Sequence, residues 1–175
     1  MDSSDDEDVR NGRIMQEVYE RVWVAGAGAC RSGSGEWAVV HACKSPCHQQ
    51  AVGYQRSLPQ SHPNYLALAR GQDLFLNLID PPGPLFMRAS FITFLEFAEA
   101  QWEAGRRLLI HCNQGESRAP SLALLFLAKN RAALDNSSYL AARTQFEHLY
   151  PNYRPGSGIQ VFLTTNWGSL GRMPG

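Results

Sequence analysis

Leu108-Leu109-Ile110-His111-Cys112-Asn113-Gln114-Gly115-Glu116-Ser117-Arg118-Ala119-Pro120 is the stretch whose reading decides the fold. Arg106-Arg107 followed by Leu108, Leu109 and Ile110 reads as a basic lead into a buried strand. Pro120 to Asn130 is apolar nearly all round, which predicts a central buried helix with proline near its first turn. Five residues separate Cys112 from Arg118, so strand passes to helix through a tight loop. Such a loop points several backbone N–H groups inward, and the helix dipole adds positive potential. The result is an anion cradle. Arg118 adds a planar fork that grips two oxygens at once. Cys112 sits at the mouth of this positive field, which favours the thiolate, the nucleophilic form. Gly115 permits the backbone conformation a tight loop needs. A thiolate facing a bound oxyanion is a nucleophile for phosphorus. A bare C-x5-R string is common; the flanking strand and helix, His111 and Gly115 give this one its meaning.

Working outward, apolar segments of strand length alternate with helical periodicity. Val18–Ala25, Glu36–Cys43, Leu74–Ile79 and Arg106–His111 read as strands. Lys44–Asn64 holds three Pro and reads as a long irregular excursion. Asp80-Pro81-Pro82-Gly83 turns the chain after its strand. Helices are predicted over Arg88–Glu103, which Gly105 ends, from Ser137 or Ser138 to about Tyr150, and over Ile159–Trp167. Strands separated by helices in 175 residues predict a single α/β domain, its central, mostly parallel sheet flanked by helices.

Composition narrows the function. Hydrophobic residues make up 44% and charged residues 18%, a globular balance. No apolar run reaches the length that spans a membrane, and four Cys make no disulfide scaffold. A reducing cytoplasm is the expected setting. The zero net charge hides a split. Residues 1–8 carry five acids and no base, leaving 11 acids against 16 bases elsewhere. Residues 1–16 read as an acidic, flexible tail, and 17–175 as the folded domain. The mildly basic body favours anionic ligands, but it lacks the dense basic patches of nucleic-acid binding.

The segment His111-Cys112-Asn113-Gln114-Gly115-Glu116-Ser117-Arg118 resembles the phosphate-binding loop, H-C-x-x-G-x-S-R, of the cysteine-dependent protein-tyrosine phosphatases, and within them the compact dual-specificity group. The resemblance covers roughly residues 18–167; outside the loop it is one of pattern. It implies a phosphomonoester hydrolase working through a phosphocysteine, with no metal and no organic cofactor. Cys112 is then the nucleophile and Arg118 the phosphate clamp. Asn113, Gln114, Gly115, Glu116 and Ser117 complete the loop, which His111 supports. Asp80, thirty-two residues before Cys112 on a Pro-Gly turn, takes the role of general acid. Asp73 is the fallback, expected at the far end of its strand.

One departure is Ala119, where many relatives carry Ser or Thr to help the thiolate leave; a slower second step is implied. Relatives that act on multiply phosphorylated ligands tend to carry Lys in the loop, where this chain has Asn113, Gln114 and Glu116. Phosphotyrosine or another singly phosphorylated group on a protein or small molecule is therefore favoured over phosphoinositides and RNA 5′-phosphates. A phosphate-binding module without turnover and a rhodanese-like C-x5-R loop are the competing readings. In some relatives a cysteine at the end of the corresponding strand pairs with the nucleophile under oxidation, which nominates Cys43. His41-Ala42-Cys43-Lys44-Ser45-Pro46-Cys47-His48 holds zinc-ligand types, but one segment this short closes a tetrahedron poorly. Lys44 and His48 are expected at the pocket rim. No oligomeric state follows from the sequence.

Overall fold

The computed structural model describes residues 15–171. Most of the acidic tail expected over 1–16 lies outside the described residues; Met15 and Gln16 open the first strand. Six strands, β1 (Met15–Tyr19), β2 (Val22–Ala25), β3 (Trp37–His41), β4 (Ala67–Arg70), β5 (Asp73–Leu76) and β6 (Arg107–His111), form one sheet in the order β1-β2-β6-β3-β5-β4. The four inner strands are parallel, and β1 and β4 pair antiparallel at the edges. The helices are α1 (Gln49–Val52), α2 (Arg88–Glu103), α3 (Arg118–Lys129), α4 (Tyr139–Leu149) and α5 (Ser157–Asn166). The α/β domain with a mostly parallel, helix-flanked sheet is thus as the sequence predicts. No helix among the described residues is long and apolar enough to cross a membrane.

Strand alternation divides the core. Leu108, Ile110 and Cys112 join the main core with Val22, Val24, Ala38 and Val40, beneath α2 to α5. Leu109 joins a smaller cluster on the other face, with Ala25, Ala29 and Val39. His111 follows Leu109 by the same two-residue period. The β6 terminus therefore sends His111 and Cys112 to opposite faces of the sheet. Every residue of α3 from Ala119 to Ala128 is buried, which explains why its sequence shows no polar face.

Two elements differ from expectation. Val18–Ala25 is not one strand but a tight hairpin, with Tyr19 opposite Val22 and Arg21 at φ 60°. The turn lacks the Gly or Asn that marks such hairpins, so it is silent in sequence. Tertiary contacts hold it instead. Arg21 Nη1 donates to the carbonyls of Trp102 (2.8 Å) and Arg106 (3.2 Å), and the guanidinium lies 4.1 Å from the Trp102 ring centroid. The excursion after β3 contains a helical piece running from Lys44 into α1, and the edge strand β4 follows it. Edge strands pack on fewer neighbours and need less apolar sequence, so Ala67–Arg70 gives little signal.

Phe126, fully buried in α3 and edge-on to Phe94, carries the contact between α3 and α2. Phe126→Ala is expected to cost about 3–5 kcal/mol in urea unfolding. A loss below about 1 kcal/mol would show that α3 is not the packed centre of the domain.

Candidate active site

The loop between β6 and α3 forms the site. Cys112 is buried, and its Sγ accepts the Gly115 N–H at 3.2 Å, which curls the loop around the sulfur. Gly115 has φ +73°, and a Cβ there would lie 2.8 Å from Gly26 N and 2.9 Å from Ala25 C. Those are backbone atoms of the β2 end and cannot move aside, so both conformation and space demand glycine. The loop is pinned from that side by Ala27 N–H to Asn113 O (3.1 Å) and Cys112 N–H to Ala25 O (3.3 Å).

The opposite flank is held by the segment between α4 and α5. Tyr150 donates to Gly115 O at 2.6 Å, Arg154 N–H to Glu116 O at 2.8 Å, and Gly156 N–H to Ser117 Oγ at 2.9 Å. Burial, and then the neighbouring Cys112, push the Tyr150 phenol above its ordinary range, so it stays a donor. Tyr150 and Gly156 are site residues that the motif alone does not reveal.

Arg118 opens α3. Its Nη1 donates to Leu78 O at 2.9 Å and its Nη2 to Asn113 Oδ1 at 2.6 Å. Its Nε is buried with no partner among the described residues. A buried guanidinium donor left free is a donor that an oxyanion can satisfy. Asn113 also ties the loop outward, its Nδ2 donating to Ser45 O at 3.1 Å. Gln114 is exposed and Glu116 half-buried, while Ala119 is fully buried.

Asp80 is exposed on the Asp-Pro-Pro-Gly turn. Its carboxylate packs on Gly156, where a Cβ would lie 2.5 Å from Oδ1. Gly156 is the residue that bonds Ser117, next to Arg118, so Asp80 stands at the loop's rim. Ser157 Oγ donates to Pro82 O at 2.8 Å and docks the acid-bearing turn onto α5. Asp73, the fallback acid, lies elsewhere. It is buried at the start of β5 and accepts from His41 Nε2 at 2.7 Å.

The other expected residues fall behind the loop. His111 is fully buried; its Nε2 lies 2.8 Å from His41 Nδ1, and its Nδ1 has no partner among the described residues. Cys43, two residues beyond the His41–His111 register pair, is buried, and its thiol contacts Cys47. That contact, with lesser influence from His111 and Arg118, lowers the Cys43 thiol. Cys47 also contacts Cys30, and that contact, followed by bonds to His111 and His41, holds Cys30 well below the ordinary thiol range. His48 is not at the rim. It is buried, with Nδ1 bonded to Tyr54 and Nε2 to the Asn64 carbonyl. All four cysteines are free.

No family model matches the sequence, and no curated protein matches it. Solved structures do. The chain is similar to human tyrosine phosphatase-like serine/threonine/tyrosine-interacting protein, at 16% identity and TM-score 0.63, over 90% of this chain and 97% of that one. It is similar to human DUSP28 at 19% identity and TM-score 0.61, over 89% and 94%. PTPMT1 in complex with PI(5)P matches at 12% identity and TM-score 0.59, over 89% and 96%. The fold is that of the dual-specificity and tyrosine phosphatases.

Gly115→Ala tests the cradle. A left-handed non-glycine residue against backbone atoms carries about 1–3 kcal/mol of strain. Vanadate binding should weaken roughly 10- to 100-fold, read by fluorescence titration, with the far-UV circular dichroism of the fold retained. Unchanged vanadate affinity would show that the loop does not bind the oxyanion.

Proposed function

We propose that the chain is a phosphomonoester hydrolase of the protein-tyrosine and dual-specificity type, acting through a phosphocysteine on Cys112. The observation that carries this is the free, buried Nε of Arg118 in the loop whose Gly115 N–H already donates to Cys112 Sγ. Nucleophile, cationic clamp and backbone donors share one loop, and a carboxylic acid stands at its rim.

The reaction follows from these positions. Arg118 and the loop N–H groups bind the non-bridging oxygens of the phosphoryl group. The Cys112 thiolate attacks phosphorus, the bond to the ester oxygen breaks, and Asp80 gives its proton to the leaving alcohol or phenol. Asp80, now a carboxylate, takes a proton from water as that water attacks the phosphocysteine. The thiolate and inorganic phosphate are released. Positioning and charge neutralisation supply most of the stabilisation, as in phosphoryl transfer generally.

Phosphotyrosine suits the surroundings. Ile79, Leu85 and Met87 are exposed around the Asp80 turn and offer an apolar rim to an aromatic leaving group. Asn113, Gln114 and Glu116 supply no cation for the further phosphates of a phosphoinositide. PTPMT1, a structural neighbour solved with PI(5)P, keeps that substrate class as the second reading. A reducing, cytoplasmic setting suits four free cysteines.

Cys112→Ser should abolish turnover of p-nitrophenyl phosphate and of phosphotyrosine peptide while vanadate still binds. Turnover retained in that variant would refute the mechanism. Asp80→Asn should slow an alkyl phosphate roughly 10²–10⁴-fold and p-nitrophenyl phosphate far less, since only the poor leaving group needs the proton. Equal losses on both would assign Asp80 a structural role. Ala119→Ser should speed the second step and reduce the burst of released alcohol; an unchanged burst would mean that position 119 does not touch dephosphorylation.

A further inference from the structure

On the sheet face opposite Cys112, four donor atoms from three separate stretches of the chain meet. Cys30 comes from the turn after β2, His41 from the end of β3, Cys47 from the helical piece after it, and His111 from the end of β6. Their ligand atoms lie within 4.8 Å of one another. Cys30 Sγ stands 3.6 Å from His41 Nδ1, and His41 Nδ1 stands 2.8 Å from His111 Nε2. A tetrahedral zinc with two sulfurs and two nitrogens has edges of about 3.3–3.8 Å, within the spread of these separations.

The convergence follows from the strand register. Ala25, His111, His41 and Phe75 form a row across β2, β6, β3 and β5, all on one face. The small Ala25 leaves room for the turn that carries Cys30. Phe75 stacks flat on His41, ring centroids 4.3 Å apart, and fixes the ring plane. His41 Nε2 donates to Asp73 Oδ1 at 2.7 Å, and the same oxygen accepts the Gly33 N–H at 2.9 Å. A carboxylate on the outer nitrogen of a ligating histidine is the usual way that its tautomer and orientation are set. His41 thereby presents Nδ1 as a lone pair toward the other three donors. A cleft of about 400 Å³, lined by Cys30, His41, Cys47, Gln50, Arg70 and Phe75, opens the cluster to solvent.

We propose that Cys30, His41, Cys47 and His111 bind one zinc ion, which ties together the segments that carry the phosphate-binding loop. Two thiolates and two neutral imidazoles balance a divalent zinc, and this donor set selects zinc over hard cations. On binding, the two thiol protons leave to solvent, and His111 carries its ring proton on Nδ1. His48, whose nitrogens are both engaged elsewhere, takes no part. The short segment 41–48 therefore supplies only two ligands, and the strain that argues against a single-segment site does not arise.

The site's role follows from what its segments touch. Cys30 N–H donates to Ala27 O, and Ala27 N–H donates to Asn113 O; Ser45 O accepts from Asn113 Nδ2; His111 adjoins Cys112. The ion braces the loop from behind without touching substrate.

The test is metal binding by the whole chain, purified under reducing conditions without chelator. Elemental analysis should find close to one zinc per chain. Cobalt exchanged for zinc should give the visible bands of a tetrahedral ion with thiolate charge transfer. Cys30→Ser, at an exposed position, and Cys47→Ser should lose the stoichiometric metal and the thiolate bands. Asp73→Asn should keep four ligands and bind zinc about 10–100-fold more weakly in competition with a chromophoric chelator. Added zinc should raise the melting temperature of the wild type and not of Cys30→Ser. Absence of stoichiometric zinc after reconstitution, a cobalt spectrum without thiolate bands, equal binding by the serine variants, or a Cys30–Cys47 disulfide that forms in place of metal under reductant would each overturn the site. None of these readouts depends on phosphatase turnover, so the zinc site and the proposed activity can fail separately.

Discussion

The guanidinium of Arg118 donates to the carbonyl oxygen of Leu78 and to Oδ1 of Asn113, so one side chain joins the strand end leading to Asp80 to the loop that holds Cys112. Leu78 O also accepts the Lys44 N–H, which brings the segment after β3 into the same knot. Three chain crossings that are far apart in sequence therefore meet at one carbonyl and one cation. Because Arg118 is also the first residue of α3, the helix that fills the core and the guanidinium that ties the loop are parts of one element. The cost of desolvating such a cation is offset by its two bonds, and the remaining Nε stays available to an oxyanion.

The loop is held on both sides by groups of different kinds. On the β2 side the contact is backbone to backbone, Gly115 against Gly26 and Ala25, so no side chain could be exchanged to loosen it. On the α4–α5 side three hydrogen bonds, from Tyr150, Arg154 and Gly156, hold successive residues Gly115, Glu116 and Ser117. A cradle fixed before the anion arrives does not have to reorganise as charge develops, and that is how such a site stabilises a transition state.

Much of this was legible in the sequence because the deciding signals are local. The Leu108–Pro120 stretch names a strand, a loop and a buried helix within thirteen residues, and Cys112, Gly115 and Arg118 stand in it at fixed spacing. The Arg21 turn was not legible, since its positive φ is held by carbonyls of Trp102 and Arg106, more than eighty residues away. The same holds for Tyr150, whose bond to Gly115 spans thirty-five residues. The Cys30, His41, Cys47 and His111 cluster is invisible for a related reason. The alternation of Val39 with His41 and of Leu109 with His111 puts each histidine on the second face, but only the β3–β6 register sets the two side by side.

The central claim is that Cys112 carries the phosphoryl group during turnover. Rapid acid quench of the protein with a phosphotyrosine peptide, followed by peptide mass spectrometry, tests it most directly. If Ala119, in place of a hydroxyl residue, slows the second step as proposed, one phosphoryl group is expected on the peptide containing Cys112, absent from Cys112→Ser. Turnover with no phosphoryl group on that peptide at any quench time, or with the group on another residue, would contradict it.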